Sequence, residues 1–267
     1  MATIVTGLIL VLSAPIALLA AGAIYAMAIA SASYAGMRRG TEFAFVRRMG
    51  GLHTRWCVRC SMRLLHAAKL YGPIMGWMAR SARAKRRASP RPAICAIGDS
   101  NFALWTMMGA DLKERGLSAC NASFGGATSE DLLTELDAAI AYGPRSVLLM
   151  VGENDFEIKG RAGLEASIAN VSAACARCRQ RGIAVTYVAF ARKPGYTDRK
   201  WAYMSALELA VRRDCAVIHV ATDGFEYFSD GVHVMPSEHL KLADAIAAGL
   251  KRARSGATAS DARGRER

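Results

Sequence analysis

Between Ala93 and Ala253, short apolar runs alternate with longer helical stretches. That alternation constrains the fold more than any other feature of the sequence. The spacing predicts strands over 93–97, 118–121, 146–151, 184–190 and 216–220. Helices are expected near 102–115, 129–142, 163–181 and 198–213, with a last one from about Ser237 to Ala253. Strand and helix alternating in this way imply a parallel sheet with helices on both faces. In such a sheet the ligand site lies beyond the carboxyl ends of the strands.

Those strand ends hold residues with chemical potential. The first strand runs into Gly98-Asp99-Ser100, the second into "NASFGGATS" at 121–129, and the third into "VGENDF" at 151–156. The loop before the last helix is "FSDGVHVMPSEH" at 228–239. A serine hydroxyl is a weak nucleophile at neutral pH and needs a base. Of five histidines, His233 is the best placed, in a loop with Asp230 three residues earlier. A carboxylate at that spacing could fix the imidazole tautomer and stabilise its protonated form. His53 and His66 lie in a basic region, His219 on a strand expected to be buried, and His239 on the last helix. A developing oxyanion needs donors. The Asn154 side chain could supply one, and Gly125 and Gly126 permit a tight loop whose N–H groups point at the site. Taken singly, each of these stretches is also an ordinary turn.

Taken together, the four blocks resemble the SGNH hydrolases, also called GDSL esterases and lipases. "GDS" at 98–100, the block at 121–129, "GEND" at 152–155 and "DGVH" at 230–233 occur in the family's order. The resemblance covers about residues 93–250. It implies a three-layer α/β/α sandwich with a flavodoxin-like, five-stranded parallel sheet. It also implies that Ser100 is the nucleophile, that Asp230 and His233 complete a triad, and that Ser100, Ser123 and Asn154 form the oxyanion hole. No metal or other cofactor is implied. Ser123 stands where the family usually has a glycine. The backbone N–H is kept, but a side chain now enters the site.

The rest of the chain is organised by charge. Residues 1–35 carry no charged side chain, while 36–91 hold 14 Lys/Arg and one acid, Glu42. The formal net charge of +13 therefore comes from a segment next to an apolar one, not from the 93–253 domain. That placement suggests a membrane surface and argues against nucleic acid as a partner. As a helix, the uncharged run Thr3–Ala30 would be about 42 Å long, enough to span a bilayer. The expected layout is a transmembrane anchor (1–35), a basic amphipathic segment and linker (36–92), the hydrolase domain (93–253) and a disordered tail (254–267). Basic residues after the span favour a cytoplasmic domain on an inner-membrane anchor, with a periplasmic domain as the alternative. Arg55, Arg59 and Arg63 form a stripe beside Met49, Leu52, Trp56 and Cys60. Such a helix either lies on anionic lipid or packs on the domain. The apolar stretch Leu64–Ala79 is short for a second span.

Seven cysteines, at 57, 60, 95, 120, 175, 178 and 215, include two C-x-x-C pairs. Both pairs fall in helical patterns, where a spacing of three is one face, so they read as apolar packing rather than zinc ligands. The expected function is a membrane-anchored esterase acting on an acylated saccharide, polysaccharide or lipid. O-acyl transfer with the same triad, and a non-catalytic role within a membrane assembly that makes exopolysaccharide, are the alternatives.

Overall fold

The structure is a computed structural model; it describes residues 21–39, 48, 51–67, 70–86 and 92–264. Five parallel strands form one sheet: β1 (Ile94–Gly98), β2 (Ala119–Asn121), β3 (Ser146–Met150), β4 (Ala184–Phe190) and β5 (Ala216–Val220). Their spatial order is β2-β1-β3-β4-β5. All five expected strands are present, within two residues at each end.

Side chains on a strand alternate between faces, and the core divides accordingly. Cys95, Ile97, Val147, Leu149 and Tyr187 face one layer. It is built from α6 (Ser129–Ile140), α8 (Leu164–Gln180) and α9 (Asp198–Val211). Ile94, Ala96, Leu148, Met150 and Val188 face the other. That layer holds α4 (Ser100–Leu104), α5 (Met108–Lys113) and α10 (His239–Gly264). Cys120, Cys175 and Cys178 sit in the first of these cores, as small apolar side chains would.

The expected helix over 102–115 is two short ones, α4 and α5. Asn121 explains the break. Its side-chain amide donates to the carbonyls of Phe102 at 2.5 Å and Trp105 at 3.2 Å. Those carbonyls are thereby satisfied without the helix continuing past them. At the other end of the chain, α10 continues to Gly264, where a disordered tail from 254 was expected. No proline stops it, and extending an existing helix is far easier than nucleating one.

The N-terminal region also differs from expectation. Residues 1–20, most of the expected membrane span, lie outside the described residues. Residues 21–38 form a helix, α1. Among the described residues no helix is long and apolar enough to cross a membrane. Instead α1 packs on the rest of the chain: Ala26 and Ile29 bury against Cys57, and Met37 against Leu104 and Phe228. Next come α2 (Gly51–Ala67) and α3 (Tyr71–Arg86). Met62, Tyr71, Met75 and Ala79 belong to the same core as α6 and α8. The stretch Leu64–Ala79 therefore covers the domain, and the hydrophobic unit begins well before residue 93. Residues 82–86 of the expected linker are the last turn of α3.

The arginine stripe of α2 turns toward protein. Arg55 donates to the Asp230 carbonyl, Arg59 to the Glu157 carboxylate and Arg63 to the Glu157 carbonyl. Of the apolar row beside it, Met49 lies outside the described residues, and Trp56 is exposed. His219, expected in the interior, is exposed on β5 because that strand is the edge of the sheet, and its ring meets Glu208.

Candidate active site

The carboxyl ends of β1 and β3 align, with Gly98 opposite Met150. Gly98 is obligatory there. A Cβ would lie 2.8 Å from the Phe102 ring and 3.0 Å from the Met150 carbonyl. The chain then turns directly into α4. Asp99 caps that helix by accepting the Asn101 N–H at 3.0 Å. Ser100 is the first helical residue, so its own N–H has no intrahelical acceptor. Asp99 is buried, and burial together with the nearby Glu153 raises its pKa to about 6.

The 228–235 loop is a tight hairpin. Phe228 and His233 are joined by a backbone hydrogen bond, and Tyr227 pairs with Val234. Gly231 supplies the left-handed residue of the turn, at φ 64°. Asp230 Oδ1 accepts the N–H groups of Val232 and His233, at 2.8 and 3.0 Å. Its Oδ2 lies 2.5 Å from His233 Nδ1. A carboxylate can only accept, so Nδ1 carries the proton and Nε2 is free to accept. Ser100 Oγ, 133 residues away in sequence, lies 2.7 Å from that Nε2.

The charges reinforce one another. Burial opposes ionisation of Asp230, but His233 and the two backbone donors outweigh it and hold the carboxyl below its usual range. Burial likewise opposes protonation of His233, yet Asp230 and Glu153 raise its pKa above 6.5. His239 makes the contrast: burial drives its pKa down to about 4.

Ser123 and Asn154 reach the same edge by different routes. Ala122 and Phe124 donate to the carbonyls of Ala96 and Gly98, so the chain after β2 runs on beside β1. The Ser123 N–H, expected to face an oxyanion, donates instead to Asn121 Oδ1 at 3.0 Å. This is an Asx turn, a local pairing that asparagine favours. The Ser123 hydroxyl is buried, and no partner for it is found among the described residues. Asn154 lies two residues after Gly152, whose φ of 121° and close approach to Leu207 leave no room for a side chain. The Asn154 amide donates one hydrogen to the Ala127 carbonyl at 2.9 Å, which leaves its second for another acceptor. Neighbouring Asp155 anchors the loop by accepting the Ser129 N–H and hydroxyl. Gly125 was expected to point its N–H into the site. It abuts Tyr34 of α1, whose ring and hydroxyl fill the space a side chain there would need.

Two lysines and two glutamates escaped the sequence reading. Lys193 and Lys200 are buried and pair with Glu153, and Lys200 also pairs with Glu157. The one available signal was position: Lys193 lies three residues past the end of β4, on the same sheet edge as the four blocks.

Comparisons of the fold fit this architecture. A GDSL-like lipase from Bacteroides thetaiotaomicron superposes with a TM-score of 0.52 at 15% identity, over 67% of this chain and 98% of that one. The lipase/acylhydrolase from Enterococcus faecalis gives 0.50 at 16% identity, covering 59% and 95%. The psychrotrophic esterase EstA from a Pseudoalteromonas species gives 0.50 at 19%, covering 61% and 98%. The chain thus has the α/β fold of the GDSL hydrolases. No family model and no curated protein matches the sequence.

Proposed function

We propose that this chain is a serine hydrolase of acyl esters. The single observation behind the proposal is the hydrogen-bonded chain Asp230–His233–Ser100 at the carboxyl edge of the sheet. Ser100 Oγ attacks the ester carbonyl carbon while His233 Nε2 takes its proton. Asp230 stabilises the imidazolium that forms. The oxyanion is received by the Ser100 N–H and the free hydrogen of the Asn154 amide. Ser123 adds a donor through its hydroxyl, because its N–H is held by Asn121. His233 then protonates the departing alcohol, leaving an acyl-enzyme. Water, deprotonated by His233, attacks the acyl carbon, and Ser100 regains its proton from the imidazolium as it leaves.

The substrates that suit this reading are acylated saccharides, polysaccharides or lipids at a membrane. The support is the uncharged N-terminus followed by a basic segment. The anchor of this reading is the uncharged run 1–35, of which residues 1–20 lie outside the described residues. The basic flank favours an inner-membrane anchor with a cytoplasmic domain.

The test is hydrolysis of p-nitrophenyl acetate by the full chain in detergent. Ester cleavage lost in Ser100→Ala supports the proposal; cleavage that persists in the variant overturns it. A reporter fused to the C-terminus, active on one side of the membrane only, decides the orientation.

A further inference from the structure

Lys193 has no exposed side-chain surface, and a lysine so placed needs a strong reason. It follows β4 and is packed between aromatic rings, with Nζ 4.2 Å from the centroid of Phe190 and 5.6 Å from that of Tyr196. Its ammonium meets Glu153 Oε1 at 2.5 Å. The other oxygen of Glu153 meets Lys200 at 3.2 Å. Burial opposes the charge on Glu153, but the two lysines outweigh it and bring the pKa down to about 2. So Glu153 is an anion and both lysines have a partner. Desolvating such ions largely offsets their attraction, so pairing alone explains little of why they are there.

Asn101 supplies the missing purpose. It is buried directly after Ser100. In one orientation its Nδ2 makes a long contact to Glu153 Oε1, at 3.4 Å, and its Oδ1 faces only acceptors; the reverse orientation satisfies both ends of the amide. Oδ1 then accepts from Lys193 Nζ at 3.0 Å, and Nδ2 donates to the Val232 carbonyl at 3.2 Å. Val232 precedes His233. The amide therefore bridges the turn that carries Ser100 and the loop that carries His233, and Lys193 fixes which way it points. Glu153 joins the same cluster to Asn154, its neighbour on α7 (Glu153–Lys159).

We infer that Lys193 and Asn101 are positioning residues: Lys193, held by Glu153, orients Asn101 so that Ser100 and His233 stay within hydrogen-bonding distance. The inference rests on the reading of Ser100 as nucleophile, and neither residue touches the reacting atoms. Misplacing reacting groups by about 1 Å can cost on the order of 10²-fold in rate.

Two variants of the full chain test this. Asn101→Ala removes the bridge and leaves the Lys193–Glu153 pair intact. Its kcat should fall on the order of 10²-fold with KM unchanged, in a chain that still folds although it melts somewhat lower for the lost buried hydrogen bonds. The downfield Nδ1 proton resonance of His233 should broaden or vanish. Lys193→Met removes a charge near His233, which also faces Asp230 on its own loop, Ser100 on α4 and Glu153 on α7, and interacts with Asp99. Losing that repulsion should move the imidazole titration midpoint upward, in NMR and in the acid limb of kcat/KM, and Lys193→Arg should restore it. An Asn101→Ala enzyme with wild-type kcat and an unaltered His233 resonance would overturn the inference. So would a folded Lys193→Met chain whose midpoint does not move; if that chain does not fold, Asn101→Ala decides. Absence of Ser100-dependent hydrolysis in the wild type would refute the proposed function instead, and the His233 resonance would still judge the positioning role.

Discussion

Arg55 on α2 donates to the backbone carbonyl of Asp230 at 2.5 Å, across 175 residues of sequence. The outer side of the 228–235 hairpin is thereby held by a helix that precedes β1 in the chain. Gly195 holds it too, donating its N–H to the Gly231 carbonyl at 2.8 Å. A Cβ on Gly195 would lie 2.5 Å from the Asp230 carbonyl oxygen and 2.7 Å from the Arg55 guanidinium. Backbone cannot yield to that cheaply. Gly195→Ala should therefore displace the hairpin, lowering kcat about tenfold or more and destabilising the fold by about 1–3 kcal/mol. Kinetics and thermal melts of the variant check both.

The N-terminal helices bear on folding as well. Met62, Tyr71, Met75 and Ala79 share a core with Leu132, Leu136 and Val171. Each of the two buried methionines contributes about 1.5–3 kcal/mol, against a typical total stability of about 5–15 kcal/mol. A chain begun at Pro92 should melt well below the full chain or aggregate. An equal melting temperature would show that α2 and α3 are dispensable.

Ser123 separates stability from activity. Among the described residues its buried hydroxyl has no partner, so removing it forfeits no hydrogen bond to them. Ser123→Ala should melt at or above the wild-type temperature, since an unsatisfied buried hydroxyl costs about 1–3 kcal/mol. Its kcat should nevertheless fall, by up to about 10²-fold if the hydroxyl serves the oxyanion fully. Unchanged kcat would remove Ser123 from the mechanism.

The pH profile follows from the sign of the His233 shift. Burial favours the neutral ring, but Asp230 and Glu153 raise the pKa above 6.5. A general base must be neutral, so kcat/KM should fall as pH drops through that raised pKa, giving an acid limb above pH 6.5. The same shift contributes stability that is fully present below the unfolded value of about 6.5 and is lost as pH rises through the folded pKa. Asp230→Asn removes the main cause of the shift. Its acid limb should move to lower pH and its maximal rate should fall by several orders of magnitude.

Much of this was legible because it is local. Strand periodicity, the glycine after each strand and the Asp230–His233 spacing are written in consecutive residues, and parallel topology brings their ends to one edge. What was illegible depends on partners far along the chain. The break after Leu104 is made by Asn121 from another element. Arg55, Arg59 and Arg63 resemble a lipid-facing stripe until Asp230 and Glu157 arrive from elsewhere. Lys193 in a loop reads as solvated; only the tertiary fold supplies Glu153 and buries it. The Asx turn that diverts the Ser123 N–H was an exception. An asparagine two residues before Ser123 was in plain view, but the direction of its side chain was not.

The most direct test of the central claim is labelling by a fluorophosphonate, which reacts with a serine only when that serine is activated. The account predicts rapid, stoichiometric modification of the full chain, mapped by mass spectrometry to Ser100, and lost in Ser100→Ala and strongly slowed in His233→Ala. A folded chain that stays unlabelled at Ser100 near pH 8, or that labels equally well without His233, would contradict it.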